Sequence, residues 1–273
     1  MAALEDKIVP RAVVARRHQV YEGDCLGFRY GFRPQRGQPA ALAALACGIT
    51  RTHVQGSLDA ELAAFCESVS PAGLCRCLEQ RRGDGRLLRL SQQWLQAGGG
   101  EEGGAAPERG VGQGAVLSAR LSHWFAHYVL ALWANWWRTR HAHGTMIMGR
   151  VAADVVCGWQ YSRDARRLLH ALPARGARFA WQLPPTHTPL IECGRLAIAK
   201  RPQRGAGKPE TCKFLGFRHI CDRTRNGQYK RRRNTEKKRM RAQLTASKDT
   251  LRWHWHKPRA AQGAGLGSVG RGS

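Results

Sequence analysis

A chain of 273 residues can bury a substantial core and hold one large domain or two small ones. Its 45 Lys and Arg against 19 Asp and Glu leave a formal net charge of +26, which implies a polyanionic partner, phosphates being the usual counterpart of such an excess. The 42% hydrophobic content and nine Trp weigh against a ribosomal or chromatin-type basic chain. Nine Cys with no Cys-x-x-Cys spacing give no disulfide framework and fit reduced thiols in the cytoplasm.

Residues 3–21 read as a helix, with Leu4, Ile8, Ala12 and Ala15 near helical spacing. Residues 24–38 form a Gly/Arg-rich loop in which Arg29, Arg33 and Arg36 alternate with Phe28, Tyr30 and Phe32, a composition suited to gripping a nucleic-acid backbone and stacking bases. Pro39–Ile49 is a second helix and Val54–Leu62 a strand. Helices are expected at Pro71–Gln80, Arg86–Ala97 and Ala115–Trp137, with a Gly/Glu-rich loop from Gly98 to Gly114. Trp133, Trp136 and Trp137 at helical spacing read as packing residues. Met146–Met148 and Val155–Trp159 form a hairpin around a tight turn. Arg163–Ala174 is a helix that Pro173 is expected to end. Leu190–Glu192 and Lys213–Ile220 read as strands. Strands and helices intermix, so the class is α+β or α/β.

From Ala199 to Arg259 there are 20 Lys and Arg against 4 Asp and Glu. The run Lys230, Arg231, Arg232, Arg233, then Lys237, Lys238, Arg239, is an RNA-binding candidate whose affinity would depend steeply on salt. The last fourteen residues are rich in Gly, Ala and Ser and read as a disordered tail. Met1–Lys7 lacks the apolar stretch of a signal peptide. The most apolar windows, Ala40–Ala46 and Tyr128–Trp137, are too short to span a bilayer, so no membrane partner is expected. His123 and His127 have zinc-like spacing on one helix, but no third ligand accompanies them.

Several segments fall in a telling order. They are Leu4–Val14, Tyr30-Gly-Phe-Arg-Pro34, Leu58-Asp-Ala-Glu61 through Phe65, Gly110-Val-Gly-Gln113-Gly114, the turn Val151-Ala-Ala-Asp154, and Phe214-Leu-Gly-Phe217. The ordered series resembles the reverse transcriptase/maturase encoded by group II introns, over roughly residues 3–245. That resemblance implies a right-hand polymerase and favours the α+β class. Residues 1–50 would be partial fingers, 51–222 the palm, 223–259 the basic start of a helical thumb, and 260–273 the tail. It implies RNA-templated DNA synthesis with two Mg²⁺ ions, deoxynucleotides as substrates, and intron RNA, template–primer duplex and DNA as partners. Family elements before Leu4 and beyond Arg259 have no counterpart, so the stretch reads as a truncated copy with poor processivity.

Carried over position by position, the family's chemistry is incomplete. In-line displacement at a phosphate needs two metals clamped by hard oxygen ligands. The first-strand carboxylate falls on Glu61, where the family has Asp. The hairpin's Tyr-Ala-Asp-Asp falls on Val151, Ala152, Ala153 and Asp154, so one metal ligand is a methyl group and the expected metal residues are Glu61 and Asp154. Gln113 and Gly114 would shape the nucleotide pocket, Phe65 would sit under the sugar, and Arg33 and Arg36 would meet the template. His187 falls near a Lys that the family uses as a general acid. Polymerisation is expected to be impaired, and the alternative is a non-catalytic RNA-binding remnant.

Overall fold

The computed structural model describes residues 4–61, 71–79, 85–97, 116–179, 190–256 and 263. The fold is mixed, with two antiparallel sheets and helices packed on them. In chain order come α1 (Leu4–Gly23), α2 (Gln38–Arg51), β1 (Gly56–Glu61), α3 (Pro71–Glu79) and α4 (Gly85–Ala97). A long helical segment follows as α5 (Val116–Ala126), a π-helical turn (His127–Ala131) and α6 (Leu132–His141). Then come β2 (Met146–Val151), β3 (Asp154–Trp159), α7 (Ser162–Ala177), β4 (Leu190–Ile191) and α8 (Arg195–Gln203). The last elements are β5 (Cys212–Phe214), β6 (Phe217–Arg223), β7 (Tyr229–Thr235) and α9 (Lys237–Trp253).

The larger sheet runs β2-β3-β1-β4 and the smaller one β5-β6-β7. Strand β3 is central because Val156, Cys157 and Trp159 are buried, and alternate side chains leave opposite faces. Val151 and Val156 join Ala41, Leu42, Leu45 and Ile49 of α2 and the buried residues of β5 and β6. Leu58, Met146 and Cys157 join Trp137 and Leu168 from α6 and α7 on the other face. A one-residue slip would exchange these two sets, so the register is strongly specified. It pairs Leu58 with Cys157 and Glu61 with Asp154. Gly56 leaves the space that the Trp159 ring occupies; a Cβ there would collide with it. A third cluster packs α1, α3 and α5, with Tyr21 stacked on Trp124 at 4.5 Å between ring centroids.

Four local expectations are corrected. Pro173 lies inside α7 rather than ending it. The following turn is held from outside, since Arg175 donates to the Val129 carbonyl at 2.9 Å and lies over the Phe179 ring. The single strand expected over Lys213–Ile220 is two strands joined by Leu215–Gly216, whose φ values of 51° and 74° suit a tight hairpin. The run Lys230–Arg233 is a strand, not the opening of a helix. Pairing with β6 along seven register positions outweighs helix propensity there, and the helix begins only at Lys237. Finally, Trp137 is buried but Trp136 is exposed, so the Trp triplet is only partly core. Helix α8 had no sequence signal, because five of its nine residues are Arg, Lys, Pro or Gln.

Candidate nucleic-acid interface and hairpin site

The β2–β3 turn consists of two residues, Ala152 and Ala153, closed by the pair Val151 and Asp154. Ala152 is exposed at φ 50°, and Ala153 is half-buried against the helical cluster. Asp154 pairs across to Glu61 at the end of β1. Residues directly opposite in an antiparallel pair have Cβ atoms about 4.5–5.5 Å apart. Two acidic positions thus meet at one sheet end, and the third acidic position of the resembling family is the Ala153 methyl. Among the described residues no group of three His, Cys, Asp or Glu could hold a metal ion. Among the described residues, the acidic set at this sheet end is one carboxylate short of a two-ion centre and does not fit that group.

The loop between α1 and α2 is fastened to this hairpin. Tyr30 N–H donates to the Arg150 carbonyl and Arg150 N–H to the Phe28 carbonyl, each at 2.9 Å. Gly31 lies so close to the turn that a Cβ would stand 2.8 Å from the Ala152 nitrogen. Arg33 donates to Glu22 at 2.6 Å and to the Leu26 and Arg29 carbonyls at 3.2 Å, so its donors hold the loop together. Arg36 is exposed, donates to the Gly27 carbonyl and lies 5.8 Å from the Tyr30 ring centroid. Arg29, grouped by sequence with these template-facing cations, is instead 1% exposed. Its backbone bridges to Arg150, which draws the side chain inward.

Beneath the loop lies a polar knot that sequence reading missed. Arg29 and Arg150 are each 1% exposed, and both reach the buried His123. Arg29 Nε donates to His123 Nε2 at 2.8 Å, and Arg150 Nη2 donates to the His123 carbonyl at 3.2 Å. Burial and the two guanidinium groups hold His123 far below the usual imidazole range. The same causes bring His127 to about 3. Burial, then Arg29, lowers Arg150 to about 9. The zinc-like pair is therefore a pair of neutral, buried imidazoles. Only the apolar neighbours of His123 and His127 could have signalled their burial from sequence.

The smaller sheet presents cations differently. Lys230 and Arg232 project to solvent, with Arg232 3.5 Å from Asp222. Arg231 lies 3.2 Å from His219 Nδ1, and Arg233 lies over the Phe217 ring. Lys237 and Lys238 open α9 as exposed residues, while Arg239 reaches back to the Leu215 carbonyl. Beyond them Trp253 and Trp255 are 78% and 80% exposed. The run thus divides into cations that support the hairpin and cations that face solvent. Phe65, Gln113, Gly114 and His187 lie outside the described residues, and Glu61 is placed by its backbone register alone.

This architecture shares its fold, and the likeness is of fold alone, with solved telomerases. It is similar to apo telomerase from Candida tropicalis, with TM-score 0.53 and 10% identity, over 82% of this chain and 45% of that one. It is likewise similar to telomerase from Candida albicans solved with a fragment of telomeric RNA, with TM-score 0.52 and 12% identity, over 82% of this chain and 38% of that one. In sequence the chain is 30% identical over 125 residues to Protein YkfC of Escherichia coli K12, matching 44% of this chain and 33% of that protein. The chain thus spans well under two thirds of these relatives' length. No protein-family model matches it. Among the described residues no helix is long and apolar enough to cross a membrane.

Proposed function

We propose that this chain is a group II intron-type reverse transcriptase domain that binds RNA and whose nucleotidyl transfer is impaired. In this reading the four-stranded sheet is the palm, the loop 24–37 belongs to the fingers, and α9 begins the thumb. The carrying observation is the register that sets Glu61 opposite Asp154 beside Ala153. The scaffold for phosphoryl transfer is kept while one ligand position is a methyl group. Two metals normally clamp the attacking and leaving oxygens. Losing a ligand removes several kcal/mol of transition-state stabilisation, roughly a thousandfold or more in rate.

Binding rests on other residues. Lys230, Arg232, Lys237 and Lys238 are exposed and suit phosphate contacts, while Arg36 beside Tyr30 suits template contact. Phe65, Gln113, Gly114 and His187 keep the nucleotide-pocket and general-acid roles that the resemblance implies, and the partners are RNA, template–primer duplex and DNA. The alternative, an RNA-binding remnant with no polymerisation at all, differs only in residual rate. Filter binding of a structured RNA across a salt series, beside primer extension in Mg²⁺, tests the proposal. The expected result is salt-dependent binding with extension at or near background. Extension at the rate of a competent polymerase would overturn the impairment, and absence of RNA binding would overturn the whole reading.

A further inference from the structure

The knot beneath the fingertip loop has an unbalanced charge. Arg29 and Arg150 are both 1% exposed, and among the described residues neither has a carboxylate in salt-bridge reach. Glu22, which acts on Arg29 electrostatically, is bonded to Arg33 at 2.6 Å. Asp24 accepts from the Tyr128 hydroxyl. His123, which joins the two arginines, is neutral.

Polar atoms, most of them donors, are also left over. Arg29 Nη1, Arg150 Nε and Nη1, both ring nitrogens of His127 and the Ser122 hydroxyl are buried without a hydrogen-bond partner. Leaving a buried guanidinium uncompensated costs several kcal/mol, far more than an unmade neutral hydrogen bond. Native structures rarely leave such a cluster unexplained. The π-helical turn beginning at His127 adds to the case, since such turns occur frequently at functional sites.

We infer that Arg29, Arg150 and His127 form a buried socket for one small tetrahedral oxyanion of the inorganic phosphate class. Planar guanidinium forks match the geometry of phosphate oxygens. The oxyanion neutralises the two arginines and takes up the unused donors. Because Arg29 belongs to the fingertip loop and Arg150 to β2, the bound anion fastens the loop to the hairpin that carries Asp154. The depth of the site favours a free anion over a phosphodiester of bound RNA. The inference stands on these residues alone and does not depend on polymerase activity.

The test is thermal melting of the full chain in phosphate against acetate at matched ionic strength. The parent should melt about 5 °C higher once phosphate exceeds its Kd a hundredfold. Arg29→Met and Arg150→Met should lose that shift, and Arg29→Met should melt above the parent in the phosphate-free buffer. Arg166→Gln, which removes an equal charge from the exposed face of α7, should keep the shift. Equilibrium dialysis of labelled phosphate against the parent serves where the methionine variants do not fold. One equivalent should stay bound in high salt, which screens surface sites but not buried ones. A shift equal in parent and Arg29→Met, no salt-resistant equivalent, or an Arg29-dependent shift from an RNA oligonucleotide but not from phosphate would each overturn the socket.

Discussion

The β2–β3 hairpin and the β6–β7 hairpin follow one backbone plan and use their side chains in opposite ways. The first buries four of the six residues of β3 and ends in a turn with one carboxylate and two methyl groups. The second buries alternate residues only along β6 and leaves Lys230 and Arg232 in solvent. Register in the first depends on Leu58, Val156 and Cys157, none of which lies in its turn. A turn can therefore lose its chemistry while the sheet keeps its pairing. Exposed cations on the second depend on no such ligand geometry. In the proposed function, nucleotidyl transfer and RNA binding would therefore have separate requirements, and a change at one sheet would leave the other standing.

The strongest way to break this separation is to restore the acids. Glu61→Asp with Ala153→Asp should raise primer extension by about a thousandfold or more, some 4 kcal/mol of barrier. RNA affinity should stay the same within a factor of about two, since no phosphate-facing cation changes. Position 153 is half-buried against the helical cluster, so the double variant should also lose about 1–2 kcal/mol of stability. Restored activity accompanied by a large change in RNA affinity would show that the two regions are coupled.

Acid should weaken both regions through different imidazoles. Burial is the main cause that lowers His127, near the hairpin, to about 3 and His219, in the smaller sheet, to about 4. Both folded values lie below the unfolded value of about 6.5, so between them the unfolded chain binds more protons. Stability is then complete above pH ~6.5 and falls as pH drops toward 4, by up to about 1.4 kcal/mol per pH unit for each group. The unfolding free energy from urea denaturation should decline by roughly 2.5–3 kcal/mol between pH 7.5 and 5.5 from these two groups. A His219→Gln variant should lose its share of that slope. A flat profile would mean that neither ring is buried neutral.

The cations of the smaller sheet should prove unequal. Lys230→Ala with Arg232→Ala should weaken RNA binding about tenfold and lower the salt slope by about one for each phosphate left without its cation. Arg231 and Arg233, engaged with His219 and Phe217, should instead affect folding of the hairpin. Equal effects on affinity from both pairs would remove the distinction.

Much of this was legible in the sequence, and the failures have physical causes. The β2–β3 hairpin, the strand read over Val54–Leu62 and helices α1 to α4 follow from apolar periodicity and motif order, and their observed bounds shift by a few residues at most. The resemblance set the Lys230–Arg233 run at the start of a helical thumb, and pairing with β6, a nonlocal effect, makes it a strand. Phe214-Leu-Gly-Phe217 looked continuous because apolar residues flank the glycine, yet Leu215 accepts a φ of 51°. Arg29 and Arg150 were invisible as core residues because charge is the usual sign of exposure, and only the bridge between loop and strand buries them.

The smallest expected effect lies in the two turns themselves. Ala152 at φ 50° and Leu215 at φ 51° share a conformation that costs an L-residue about 1 kcal/mol. Ala152 is exposed and the nearby Gly31 meets its backbone nitrogen, so its methyl adds no burial. Ala152→Gly should relieve the strain, lose part of the gain to the freer unfolded chain, and leave about 0.5 kcal/mol of net stabilisation. Leu215 carries the same strain but is buried with Phe214 and Cys221, so glycine there removes apolar packing that outweighs the relief. Opposite signs in urea denaturation are the expected outcome. A destabilised Ala152→Gly would mean that the hairpin turn contributes packing of its own, and that the sheet does depend on the residues of its turn.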